Sequence, residues 1–233
     1  MGLGPQLIQE QVMRNQKNFR RVVFAVIGAG AVATAFGVGP AQAAGNSTTI
    51  NPSGAHAKAQ NIGNVTIAVG SYTVTCTGLT STGQVPVAPA NHNASGPVAV
   101  AIGVPTFSGC SINAPFESVT VTANATNGAW SLSAQNGSPI TGSLNIPKAG
   151  VTATISGLLN CSVVAAPTGP ASVSGTFTNG TNSTTNPSYA QASSSVPLSI
   201  TGGGCPTDTS GTIAGKIGVY DTDNTATAIT VSK

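Results

Sequence analysis

In the stretch Val98-Ala99-Val100-Ala101-Ile102-Gly103-Val104, branched apolar residues take every second position and small residues fill the places between. Successive side chains of a β-strand point to opposite faces, so this period-two pattern makes a strand with one apolar face. The pattern recurs in Val119, Val121 and Ala123 set between Ser118, Thr120 and Thr122, and again in Val151, Ala153 and Ile155 set between Thr152, Thr154 and Ser156. Similar runs lie near 62–69, 71–78, 128–134, 138–146, 159–165, 171–178, 194–201, 211–220 and 225–232. Turn-forming pairs such as Asn127-Gly128, Asn136-Gly137, Asn179-Gly180 and Asp223-Asn224 separate many of them. No stretch keeps helical spacing over three or four turns. The expectation is an all-β body of about ten to twelve short strands, arranged as a β-sandwich, Ig-like or related. A closed barrel and a solenoid are the alternatives, and the chain lacks the fixed short period of a solenoid.

Working outward from the strands, the N-terminal region has a different grammar. Met1 to Arg21 is polar and basic, with Arg14, Lys17, Arg20 and Arg21 against Glu10. An apolar run from Val22 to Val38 follows, and Ala41-Gln42-Ala43 supplies small residues at cleavage-site spacing. Residues 1–43 therefore read as a secretory signal, with Arg20-Arg21 allowing twin-arginine export and Met13 an alternative start. Once it is removed, no membrane-spanning segment is expected. Residues 44–60 show no alternation and read as a flexible lead-in to a β body over 61–233, in which 61–135 and 136–233 hint at two related halves. Thr178 to Ser195 reads as a second loose region.

Charge excludes one class of partner. The formal +3 of the whole chain comes from the leader. From Ala44 onward Lys58, Lys148, Lys216 and Lys233 balance Glu117, Asp208, Asp221 and Asp223, and arginine is absent. Nucleic acid binding requires clustered cations that displace counterions, so nucleic acid is not an expected partner.

Cys76, Cys110, Cys161 and Cys205 stand in strand-like contexts, and no two have metal-ligand spacing. An exported chain with four cysteines is expected to form two disulfides, in one of three connectivities. Pairing Cys76 with Cys110 and Cys161 with Cys205 closes a loop within each half and is the expected arrangement. No metal or other cofactor is expected.

Catalytic signatures are thin. A serine hydrolase needs a histidine between nucleophile and carboxylate. His92 is the only candidate outside the lead-in, which holds His56, and no Gly-x-Ser-x-Gly elbow accompanies it. Asp221-Thr222-Asp223-Asn224 matches part of a calcium loop but lacks the following ligands and reads as a hairpin turn. Trp130 alternates with polar neighbours as a core residue would; with Tyr189 and Tyr220 it forms the candidate binding set. No catalytic residue is assigned.

In Thr73-Val74-Thr75-Cys76-Thr77, Phe107-Ser108-Gly109-Cys110, Ala129-Trp130-Ser131-Leu132, Cys161 and Gly175-Thr176-Phe177-Thr178-Asn179 the chain resembles a group of small secreted β-rich proteins of actinobacteria. More loosely it is similar to the alkane-oxidation activator family, and the resemblance spans roughly 60–232. It implies an accessory role at the cell surface or in a biofilm and brings no catalytic residues. The expected function is that of a secreted or cell-surface protein, not an enzyme, acting by adhesion, self-assembly in the cell envelope, or weak binding of apolar or glycan material. The alternatives are a secreted hydrolase using His92 with a carboxylate, and a filament subunit whose Thr225–Ser232 run completes a neighbour's sheet.

Overall fold

The alternating runs do become strands, and longer ones than their sequence signals suggest. The computed structural model describes residues 46–233, which carry sixteen strands and no helix. They are β1 (Thr48–Asn51), β2 (His56–Asn61), β3 (Val65–Val69), β4 (Tyr72–Gln84), β5 (His92–Asn93), β6 (Val98–Ile102), β7 (Thr106–Ile112) and β8 (Ser118–Ala123). They continue as β9 (Trp130–Gln135), β10 (Ile140–Ile146), β11 (Val151–Ser156), β12 (Asn160–Ala165), β13 (Ala171–Thr178), β14 (Ser188–Gly203), β15 (Ser210–Asp221) and β16 (Thr230–Ser232). The signal segment read at 1–43 lies outside the described residues.

The expected sandwich is corrected to a barrel that continues into a two-layer end. Strands β4, β6, β9, β10, β13, β14, β15 and β2 pair in that order, and β2 pairs with β4 as well as with β15, closing an eight-stranded ring. Alternation cannot tell an open sheet from a closed one, because both bury one face of every strand. Closure depends on which strands meet at the two edges.

One long strand, β14, carries the barrel into the second layer. The first part of β14 pairs with β13 and β15, and its last part, from Leu198, pairs with β12, which leads on to β11 and β8. That layer packs on the start of β4 with β3 and β7 on its two edges. Val121, Ala153, Ile155 and Val163 meet Ile67, Val69, Val74 and Cys76 in one buried cluster. A smaller sheet, β16–β1–β5, lies at the other side of the core. There Ile50, Ile229 and Val231 pack with Val85, Val98 and Val219.

Two of the barrel's strand positions are each occupied by a pair of consecutive strands. β2 and β3 lie end to end along β4, with Ile62-Gly63-Asn64 bulged out between them. Gly63 adopts φ 75°, a left-handed conformation that glycine reaches without steric cost. The Asn61 side chain repairs the interrupted ladder: its Nδ2 donates to Thr77 O (2.7 Å) and its Oδ1 accepts from Leu79 N (2.7 Å). On the other edge of β4, β6 and β7 likewise follow one another, broken at Gly103-Val104-Pro105.

Both expected disulfides are present, Cys76–Cys110 and Cys161–Cys205. Cys76 and Cys110 face each other directly across β4 and β7. Disulfides persist in oxidising compartments, which fits a location outside the cytoplasm. Three segment boundaries differ from expectation. The lead-in at 44–60 contains β1 and most of β2, where β1 is too short to show a period and the apolar member of the β2 alternation is only Ala. The loose region at 178–195 shortens to the connection before Ser188, since β14 begins there. The boundary between the proposed halves falls inside the β9–β10 hairpin, so both halves build one barrel.

Candidate functional site

The barrel's inward positions explain what its interior contains. On β14 the inward series runs Ala190 and Ala192, on β2 Ala57 and Ala59, and on β9 Trp130, Leu132 and Ala134. Glycine takes inward places on β4 (Gly83), β10 (Gly142), β13 (Gly175) and β15 (Gly215). An eight-stranded barrel is just wide enough for ordinary side chains to fill it, or for one small ligand. With so many Ala and Gly turned inward, the side chains do not fill it. A cavity of about 180 Å³ remains.

The walls of that cavity are apolar. Val100, Ile102, Leu132, Leu144, Phe177 and Ile217 border it and are only half-buried, because the empty space leaves part of each uncovered. Ile50, Ile229 and Val231 border it from the small sheet. The one buried hydroxyl on the wall, Ser81, donates to Gly103 O at 2.8 Å and so is already engaged. No ionisable side chain lines it.

Trp130 and the two tyrosines are placed on opposite sides of this wall. Trp130 is 1 % exposed, borders the cavity, and donates from Nε1 to Asn124 O at 2.8 Å, which anchors its polar edge. Tyr189 and Tyr220 alternate with the inward Ala190 and Val219 and therefore face outward. The Lys216 ammonium sits 3.6 Å from the Tyr189 ring centre, a cation–π contact on the outer surface. The structure thus does not bring Trp130, Tyr189 and Tyr220 together.

The ionisable residues distribute as follows. His92 Nδ1 lies 2.9 Å from Thr49 Oγ1. The histidine–carboxylate pair of the described residues is His56 with Asp223, at 3.0 Å and exposed. Asp223 is held below the ordinary carboxylate range, first by the His56 backbone N–H and then by the imidazole. Asp221, 2 % exposed, accepts on Oδ1 from Asp223 N (2.9 Å) and Asn224 N (3.0 Å), and on Oδ2 from Thr227 Oγ1 (2.9 Å). Its carboxylate thus closes the turn between β15 and β16. Among the described residues, no group of three or more His, Cys, Asp or Glu side chains is arranged to hold a metal.

Sequence reasoning singled out the aromatics and passed over the site's determinant, the Ala and Gly at inward places. Its signal was present as alternation whose apolar member is too small, as in Ala190-Gln191-Ala192. Compared with known proteins, the chain matches no family model, no curated protein and no solved structure.

Proposed function

We propose that this is an exported, non-catalytic protein that binds a small uncharged apolar molecule inside its barrel. One observation carries the reading: a cavity of about 180 Å³ whose wall is hydrocarbon nearly throughout. A cavity of about 150 Å³ with a similar lining stays dry and takes up benzene, so the ligand class is a monocyclic or short-chain hydrocarbon. A glycan would leave most of its hydroxyls unpaired against this wall, at a cost of about 1–3 kcal/mol each. Fatty acids and other charged amphiphiles lack a cation in the cavity to receive the head group. The leader's signal pattern supports export, and the disulfides agree with it.

The wall's polarity supports a soluble binder over a pore. Outward places on the barrel carry Thr80, Thr82, Ser174, Thr176, Gln191 and Lys216. A membrane barrel shows the reverse arrangement, with an apolar band outside and a polar lumen.

The test is titration with benzene, toluene and hexane beside glucose, read by Trp130 fluorescence and thermal melting. A hydrocarbon of this size is expected to bind with a Kd of about 0.1–1 mM, and glucose to leave both signals unchanged. A flat response to every hydrocarbon would discard the reading.

A second reading, self-assembly, is favoured by a separate observation. β8 pairs with β11 on one edge and with no other strand among the described residues. Phe116 and Leu158, beside the ends of β8 and β11, are 85 % and 77 % exposed. β16 pairs with β1 of its own chain, so the end of the Thr225–Ser232 run is already engaged in its own sheet. Light scattering on the oxidised protein decides between a monomer and an assembly. For the hydrolase alternative, His92→Ala is expected to leave the protein's properties intact, and loss of a measured hydrolytic activity in that variant would revive it.

A further inference from the structure

The cavity is partly open to solvent, and where its wall gives way most readily follows from the barrel's hydrogen bonding, which is uneven around the circumference. Between β4 and β6 the ladder has a single registered pair, Gly83 with Ile102. Every other seam of the ring has between four pairs, at β13–β14, and ten, at β14–β15. Beyond Gly83 and Ile102 the two strands are joined by Gly103 N–H donating to Thr82 O (2.7 Å) and by Ser81 Oγ donating to Gly103 O (2.8 Å). In the other direction they part: Val85 N–H donates to Ala55 O, away from β6.

We infer that the seam between β4 and β6 is the portal through which the apolar ligand enters and leaves the barrel. This inference rests on the cavity reading above. Local opening follows the places where few hydrogen bonds and little packing must be given up, and this seam requires the fewest. It also leads directly inward, because Ser81, Gly83, Val100 and Ile102 border the cavity. Gly83 leaves no side chain in the gap, and an added Cβ there would lie 3.0 Å from Ala101 O, so a larger residue would fill it. On the outer side Val104, 42 % exposed, presents an apolar step beside the gap. The unusual break of one strand position into β6 and β7 thereby acquires a role: β6 bends toward β9 to close the ring while β7 stays on β4.

The portal is tested by fastening it. Thr82 and Gly103 stand opposite each other, and a Cβ built at Gly103 lies 3.4 Å from Thr82 Oγ1 on the outer face. A Thr82→Cys/Gly103→Cys protein would carry a disulfide across the seam. A Ser133→Cys/Ser143→Cys protein would carry one across β9–β10, where the two hydroxyls are 2.8 Å apart. Fluorobenzene exchange is followed by fluorine NMR in both, beside an uncrosslinkable Thr82→Ser/Gly103→Ala control. Fastening β4 to β6 is expected to slow uptake and release together by about tenfold or more with Kd unchanged, while the β9–β10 crosslink changes neither rate. Equal rates in all three proteins would overturn the portal and leave the cavity standing. Failure of the control to take up fluorobenzene would overturn the cavity and the portal with it. Hydrogen exchange needs no ligand: the Gly103 amide is expected to exchange faster than the Leu144 and Ile217 amides, and equal protection would also refute the portal.

Discussion

Single residues decide whether the connections between strands hold. The Asp221 carboxylate is buried without a cation and is kept there by two backbone N–H groups and the Thr227 hydroxyl. Asp221→Ala strands those donors and is expected to cost about 2–3 kcal/mol, read from the urea midpoint. Asp223, by contrast, is exposed and contributes through its pairing with His56. Because its folded pKa lies below the unfolded value, the pairing stabilises the fold above the ordinary carboxylate range. That stability is lost as pH falls through the lowered folded value. Melting curves of the wild type and Asp223→Asn should therefore differ at neutral pH and converge in acid. Convergence failing to appear would show that Asp223 acts by some other route. Gly202 makes a third case: φ is 128°, and a Cβ there would collide with Asn160 O and lie 2.8 Å from Cys205 Sγ, so only glycine fits where β14 meets β12 beside the disulfide.

At the scale of elements, the inward Ala and Gly of β2, β14 and β15 set the cavity's volume. Ala190→Leu places a branched chain into that space, opposite Phe177 in the neighbouring strand. The expected result is a Kd for benzene at least about tenfold weaker, with the urea midpoint unchanged or raised, since the added methyls fill a void rather than an occupied place. Binding that survives Ala190→Leu would place the ligand elsewhere. Asn61 works on the same scale, because one carboxamide bridges the bulge between β2 and β3 and fixes the register of both against β4.

Over the whole molecule the crosslinks are not spread evenly. Cys76–Cys110 joins the part of β4 that lies in the two-layer end, and Cys161–Cys205 joins β12 to the chain just beyond β14 at that same end. Each restricts the unfolded chain over a long loop and is expected to contribute about 4 kcal/mol. Removing Cys161–Cys205 by double substitution to Ser should loosen the β8–β11–β12 layer first, with Val163 and Ile155 amides losing protection before Leu144 and Val173. Uniform loss of protection would instead make the barrel and the second layer one cooperative unit.

The sequence by itself determined that the body of sixteen strands is all-β and that its four cysteines suffice for two disulfides, while their connectivity was left to the tertiary structure. Those conclusions follow from alternation and cysteine count, each of which is local or additive. Trp130 was legible as a core residue because it alternates with polar neighbours. Only the tertiary structure decided that the sheet closes on itself, since closure depends on β2 meeting both β4 and β15, far apart in the chain. It also decided that the residues with the smallest side chains face inward together from several strands. A cavity is a deficit summed over the whole wall, and no single strand shows it.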